Sequence, residues 1–134
     1  MDYQKKKFYA WENREVKLPS PVPFEKAQAL VDAIWMAKGL LYPPKVFPLH
    51  LKSTALGKAE RNTIYLRADN TLHTVLHEIA HSMSDDGHGE NFAGIFIDLC
   101  EQFGNIPKFM LWYSAERAGL KVNKIAKPVV STMA

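Results

Sequence analysis

Residues 74–92 read TVLHEIAHSMSDDGHGENF, and the rest of the chain is best understood outward from this stretch. Apolar residues Leu72, Val75, Leu76, Ile79, Ala80 and Met83 recur at helical spacing, which predicts a helix from about Thr71 to Met83. His77 and His81 are then one turn apart on one face. Two imidazoles so placed can fill two corners of a tetrahedral zinc site, each at about 2.0–2.1 Å from the metal. Glu78 follows the first of them and is rotated by about 100° around the helix axis. It is therefore directed at a water on the metal, as a general base, and not at the metal.

Catalytic zinc usually has three protein ligands and a water. Ser84–Gly89 (SDDGHG) reads as a tight loop, and its glycines let the backbone turn back toward the helix end. His88 in that loop ranks first as third ligand; Asp85, Asp86 and Glu90 are competing carboxylates. One zinc per chain is expected.

Upstream, residues 62–67 (NTIYLR) form the best strand candidate, with Ile64 and Leu66 on one face and Thr63 and Tyr65 on the other. Asp69 and Asn70 end it and can cap the following helix. Residues 7–11 (KFYAW) read as a short strand that the prolines of residues 18–23 (LPSPVP) cannot continue. Ala27, Leu30, Val31, Ile34 and Trp35 predict a helix from Phe24 to Lys38, stopped at Gly39. Prolines 43, 44 and 48 predict irregular backbone near Val46–Lys52.

Downstream, Phe92, Phe96, Leu99 and Phe103 form a core-facing stripe on a helix from Glu90 to Phe103, which Gly104 stops. Pro107 opens a last helix and Gly119 closes it. Short strands around one helix, followed by three helices, predict an α+β domain with helices packed on a small sheet. At 134 residues the chain has the length of a single domain and can bury about two thirds of its unfolded surface.

Cys100 alone cannot form an intrachain disulfide and reads as a small buried hydrophobe. No signal-peptide core and no membrane-length apolar run is present, so a soluble, cytoplasmic protein without a membrane partner is expected. Residues 105–134 carry five basic residues against Glu116. A solvated helix end with a frayed basic tail, about residues 120–134, accounts for this excess. A nucleic-acid patch would need aromatic interleaving or a known motif, and neither is present.

The string HEIAH, six residues, then HGENF matches HExxH…HGxxF and resembles the signature of SprT-like and WLM-like zinc metallopeptidases. The segment KFYAWENR and the helix after it are similar to a small group of bacterial and phage metallohydrolases. The firm resemblance covers about residues 62–103. It implies a minimal zincin-like fold and a protein or peptide substrate. It also implies that Thr63–Leu66 is the edge strand of the cleft, able to hold an extended peptide by β-augmentation. The glycine that metzincins carry three residues past the second ligand is replaced by Ser84. A second likeness is to ImmA/IrrE-like repressor-cleaving peptidases, through Glu90-Asn91-Phe92-Ala93, with Glu90 as third ligand. The alanine expected before the phenylalanine and the proline-ended apolar run are missing.

His73, one turn before His77, reads as a surface histidine near a helix start, and His50 as structural or exposed. Trp35, Trp112 and Phe109 read as packing groups. Tyr42, Tyr65 and Tyr113 are all conceivable oxyanion donors, and spacing selects none. A non-catalytic zinc-binding interaction module is the alternative to an enzyme. It has no need of Glu78.

Overall fold

A computed structural model describes residues 2–50, 53, 55–60 and 62–132. The chain is α+β and divides into two compact units. One comprises Pro19–Ser82 with Val130–Ala134; the other comprises Met1–Leu18 with Met83–Val129.

Among the described residues, the Pro19–Ser82 unit contains five strands and two helices. Strand β1 (Pro21–Pro23) leads directly into helix α2 (Phe24–Ala37). Ala27, Val31, Ile34 and Trp35 bury one face of α2, the i, i+4, i+7, i+8 set read from the sequence. Gly39 ends the helix region at φ +71, a conformation open to glycine at little steric cost. Strands β2 (Lys45–Pro48), β3 (Gly57–Glu60) and β4 (Thr63–Leu66) form one sheet in the order β2-β4-β3. β2 runs parallel to β4, and β3 runs antiparallel to it. Strand β5 (Asp69–Thr71) pairs antiparallel with β1, Val22 opposite Asn70, and passes into helix α3 (Leu72–Ser82). α3 packs on β3, β4 and β5. Ile64 and Leu66 of β4 are fully buried, while Thr63 and Tyr65 are half-buried.

Three expectations change in this unit. Thr63–Leu66 is the central strand and not the edge, because β2 and β3 occupy both of its hydrogen-bonding sides. Lys45–Pro48 is strand despite its prolines, since Gln28 of α2 holds its start: the Val46 N–H donates to Gln28 Oε1 at 2.8 Å, and Gln28 Nε2 donates to the Pro44 carbonyl at 3.0 Å. Pro48 closes the strand, where a missing N–H costs least; Leu51 and Lys52 lie outside the described residues. Asp69 and Asn70 belong to β5 and do not cap α3. Asn70 Nδ2 donates instead to the Arg67 carbonyl at 2.7 Å, and Thr71 Oγ1 accepts from the Thr74 N–H at 3.4 Å.

The other unit is helical: α1 (Lys5–Glu15), α4 (Glu90–Gly104) and α5 (Lys108–Arg117). The expected strand at residues 7–11 is part of α1. Gln4, Phe8, Trp11 and Glu12 are buried, spacings of four, seven and eight that only a helix places on one face. Phe8 meets Phe92 and Phe96 of α4 with ring centroids 5.0 and 5.7 Å apart. Trp11 Nε1 donates to Ser114 Oγ of α5 at 2.9 Å. Gly94 of α4 faces the backbone of Asn123 so closely that no Cβ fits between them. Asn105, in the left-handed conformation at φ 59, ends α4 just after Gly104. Pro107 and Gly119 bound α5 as expected.

The described part of the basic tail makes backbone hydrogen bonds. Asn123 N–H donates to the Glu90 carbonyl, Val129 N–H to the Met83 carbonyl and Leu41 N–H to the Ser131 carbonyl, each at 2.9 Å. Two of its cations have local partners: Lys124 Nζ lies 2.8 Å from Glu116 Oε1, and Lys121 lies over the Tyr3 ring. Among the described residues no helix is long and apolar enough to cross a membrane.

Candidate metal centre

Helix α3 carries His77, Glu78 and His81 because its apolar residues anchor it against the strands and leave the 77–81 ridge to polar groups. The rings of His77 and His81 are neighbours, with centroids 4.9 Å apart and planes at 68°. His77 and Glu78 are buried and His81 is half-buried. An ionised carboxylate and two imidazoles beneath a protein surface are costly unless hydrogen-bonded, charge-paired or metal-bound. Glu78 lies against β3. A Cβ placed on Gly57 would come within 2.9 Å of Glu78 Cγ and 3.0 Å of its Oε2. Strand β3 therefore has a glycine where the Glu78 side chain crosses it.

His88 lies in the helical unit, on the loop before α4, and is 5% exposed. Gly87, at φ +61, makes the turn that presents it. Phe8, Tyr9 and Phe92 surround its ring, with centroid separations of 5.6, 4.8 and 5.0 Å. Its Nδ1 lies 2.7 Å from Asp2 Oδ2, and its backbone N–H donates to Asp2 Oδ1 at 3.0 Å. Gln4 Nε2 donates to the His88 carbonyl at 2.9 Å. Partial burial tends to raise the Asp2 pKa; the hydrogen bonds from the His88 ring and backbone, with the charges of His88 and Lys5, outweigh it and hold the carboxyl below its usual range.

The competing carboxylates differ in their commitments. Asp86 accepts from the N–H groups of Asn91 at 2.9 Å and Phe92 at 3.0 Å, satisfying two donors of the α4 N-terminus. Asp85 and Glu90 are exposed. Each unit carries side chains that could offer a ligand atom to a metal ion: His73, His77 and His81 on α3, and Glu12 and His88 in the helical unit. His73, near the start of α3, is half-buried. Glu12 is a candidate that the strand reading of residues 7–11 hid. A helical reading places it on the buried face, four residues after Phe8. Asp2 carried no local signal, since its partner is 86 residues away.

Among the other residues, Trp35 is buried and donates from Nε1 to the Leu41 carbonyl at 2.7 Å. Trp112 lies 5.3 Å from both Lys108 and Lys124, whereas Phe109 is exposed and packs no core. His50, Tyr42 and Tyr113 are exposed. Cys100 is fully buried, and burial together with the nearby charge of Glu12 pushes its thiol pKa up.

The chain matches no protein-family model, no curated protein and no solved structure.

Proposed function

We propose that the chain is a zinc-dependent hydrolase, a metallopeptidase of the SprT-like and WLM-like kind, with His77, His81 and His88 as ligands and Glu78 as general base. The observation that carries this reading is the buried Glu78 beside two adjacent imidazoles on one helix, accommodated by a glycine on the neighbouring strand. A structural metal site has no use for that carboxylate. An all-imidazole donor set suits zinc.

When bound, zinc supplies Lewis acidity toward a carbonyl and toward water at neutral pH. His77 and His81 present ring nitrogens from consecutive turns of α3, so their spacing is set by the helix. The third ligand requires His88 to meet the metal that His77 and His81 hold. Glu78 accepts a proton from the attacking water on a carboxylate oxygen and returns it to the leaving amine. A protein or peptide substrate extended along β3, an edge of the three-stranded sheet, would lie beside Glu78.

The test combines elemental analysis with Glu78→Gln. Protein purified without chelator should contain about one zinc per chain. Glu78→Gln should keep that zinc and lose hydrolysis by about 10²–10⁴-fold, against a substrate found in an unfolded-protein or peptide-library screen. His77→Ala and His81→Ala should lose both. Absence of zinc, or parental turnover by Glu78→Gln, would refute the proposal.

A further inference from the structure

We infer that Asp2 is a positioning residue for the metal centre: its carboxylate fixes the ring and tautomer of His88, so that Nε2 is the nitrogen presented to the metal. This inference rests on the ligand set proposed above.

Three observations within the helical unit carry it. First, the Asp2 carboxylate engages His88 twice, through the ring Nδ1 at 2.7 Å and through the backbone N–H at 3.0 Å. A single group thus sets both the side-chain orientation and the local backbone. Second, an ionised carboxylate can only accept. With Nδ1 as the donor to Asp2 Oδ2, the lone pair of the neutral ring is left on Nε2. Third, the site is shaped for this pair. A Cβ on Gly87 would come within 2.9 Å of Asp2 Cγ and Oδ2 and would push the carboxylate aside, and the φ of +61 also favours glycine there. Phe8, Tyr9 and Phe92 pack around the imidazole, and Gln4 ties the His88 carbonyl and both backbone polar groups of Lys121 to the start of α1.

Metal-ligating histidines commonly donate their second ring N–H to a carboxylate. Removing that partner typically costs about 10–100-fold in metal affinity. A buried imidazole needs a hydrogen-bond partner whatever its role, so zinc affinity must be read beside the tautomer. The same arrangement gives the start of the chain a part in the chemistry, although Asp2 stands far from the HEIAH segment in sequence.

The experiment uses the full chain with any tag at the C-terminus, as wild type, Asp2→Ala, Asp2→Asn and His88→Ala. Two quantities are read. Long-range proton–nitrogen correlation spectra of zinc-free protein near neutral pH report the His88 tautomer. Competition with a chromophoric chelator gives the zinc Kd. Wild-type His88 should be protonated on Nδ1. Asp2→Ala should mix the tautomers and raise Kd about 10–100-fold. Asp2→Asn retains an oxygen acceptor for one of the two bonds and should fall between. His88→Ala should weaken zinc binding more than either.

A wild-type ring protonated on Nε2 would overturn the inference. So would Asp2 variants that lower the melting temperature but keep the parental tautomer and Kd, even if His88→Ala loses zinc. His88→Ala with parental zinc affinity would instead remove the ligand set itself, and this inference with it.

Discussion

Gly57→Ala separates the placement of Glu78, the proposed general base, from the proposed binding of zinc. The new methyl carbon would stand 2.9 Å from Glu78 Cγ, 3.0 Å from Oε2 and 3.2 Å from Cδ. Carbon atoms in contact settle at about 3.5–4.0 Å, so Glu78 must withdraw by roughly 0.6 Å or more. The side chain yields before the strand does, since β3 is hydrogen-bonded to β4 along its length and Glu78 can change rotamer. Gly57 is not one of the positive-φ glycines, so alanine imposes no backbone strain there. The loss of chain entropy in the unfolded state would favour the variant by about 0.4–1 kcal/mol, roughly offsetting the new contact. A catalytic group misplaced by about 1 Å costs up to about 10²-fold, so kcat/KM should fall about 10–100-fold. Zinc affinity and melting temperature should stay near parental, because the three atoms nearest the new methyl all belong to Glu78 and none to the proposed ligands His77 and His81. The assay is kcat/KM on the screened substrate, with zinc Kd and thermal unfolding measured on the same preparations. Parental kcat/KM in Gly57→Ala, alongside an inactive Glu78→Gln, would refute the idea that β3 sets the position of the base. Loss of zinc together with activity would show that the strand moves and carries the ligands with it.

Other outcomes follow from the same geometry. His88→Ala should raise the zinc Kd far more than Asp85→Ala, Asp86→Ala or Glu90→Ala; loss of zinc in Glu90→Ala with retention in His88→Ala would favour the ImmA/IrrE-like ligand set. Asp86→Ala should instead lower stability by about 1 kcal/mol, through the two α4 N–H groups it satisfies, as thermal unfolding would show. Cys100 should resist alkylation in the native protein by at least about 10³-fold relative to the unfolded chain, the factor given by roughly 4 kcal/mol of opening free energy. Rapid labelling under native conditions would contradict its complete burial.

The parts of the chain that the sequence announces are those whose cause is local. α2, α3 and α4 each show an apolar stripe at helical spacing, and α5 is read from the Pro107 and Gly119 that bound it. The i, i+4 relation of His77 and His81, with Glu78 beside the first, is a property of the helix alone. β4 is visible through the alternation of Ile64 and Leu66 with Thr63 and Tyr65. α1 is open to misreading because KFYAW contains three aromatics, which favour strands. The helical spacing of Gln4, Phe8, Trp11 and Glu12 becomes clear only when polar residues are allowed on a buried face.

What tertiary structure alone decided has non-local causes. Gly57–Glu60 (GKAE) has little intrinsic strand preference; it is a strand because β4 supplies its hydrogen bonds and α3 packs against it. Its presence moves β4 from the edge to the centre and sets Gly57 under Glu78. The three-residue strands β1 and β5 are too short to show a period and exist through their pairing. The contact of Asp2 with His88 spans 86 residues, and no pattern in the sequence encodes it. Residue types and local spacing fix which groups could bind a metal. Which carboxylate orients which imidazole depends on distant backbone brought together by burial, and that information exists only in the folded chain.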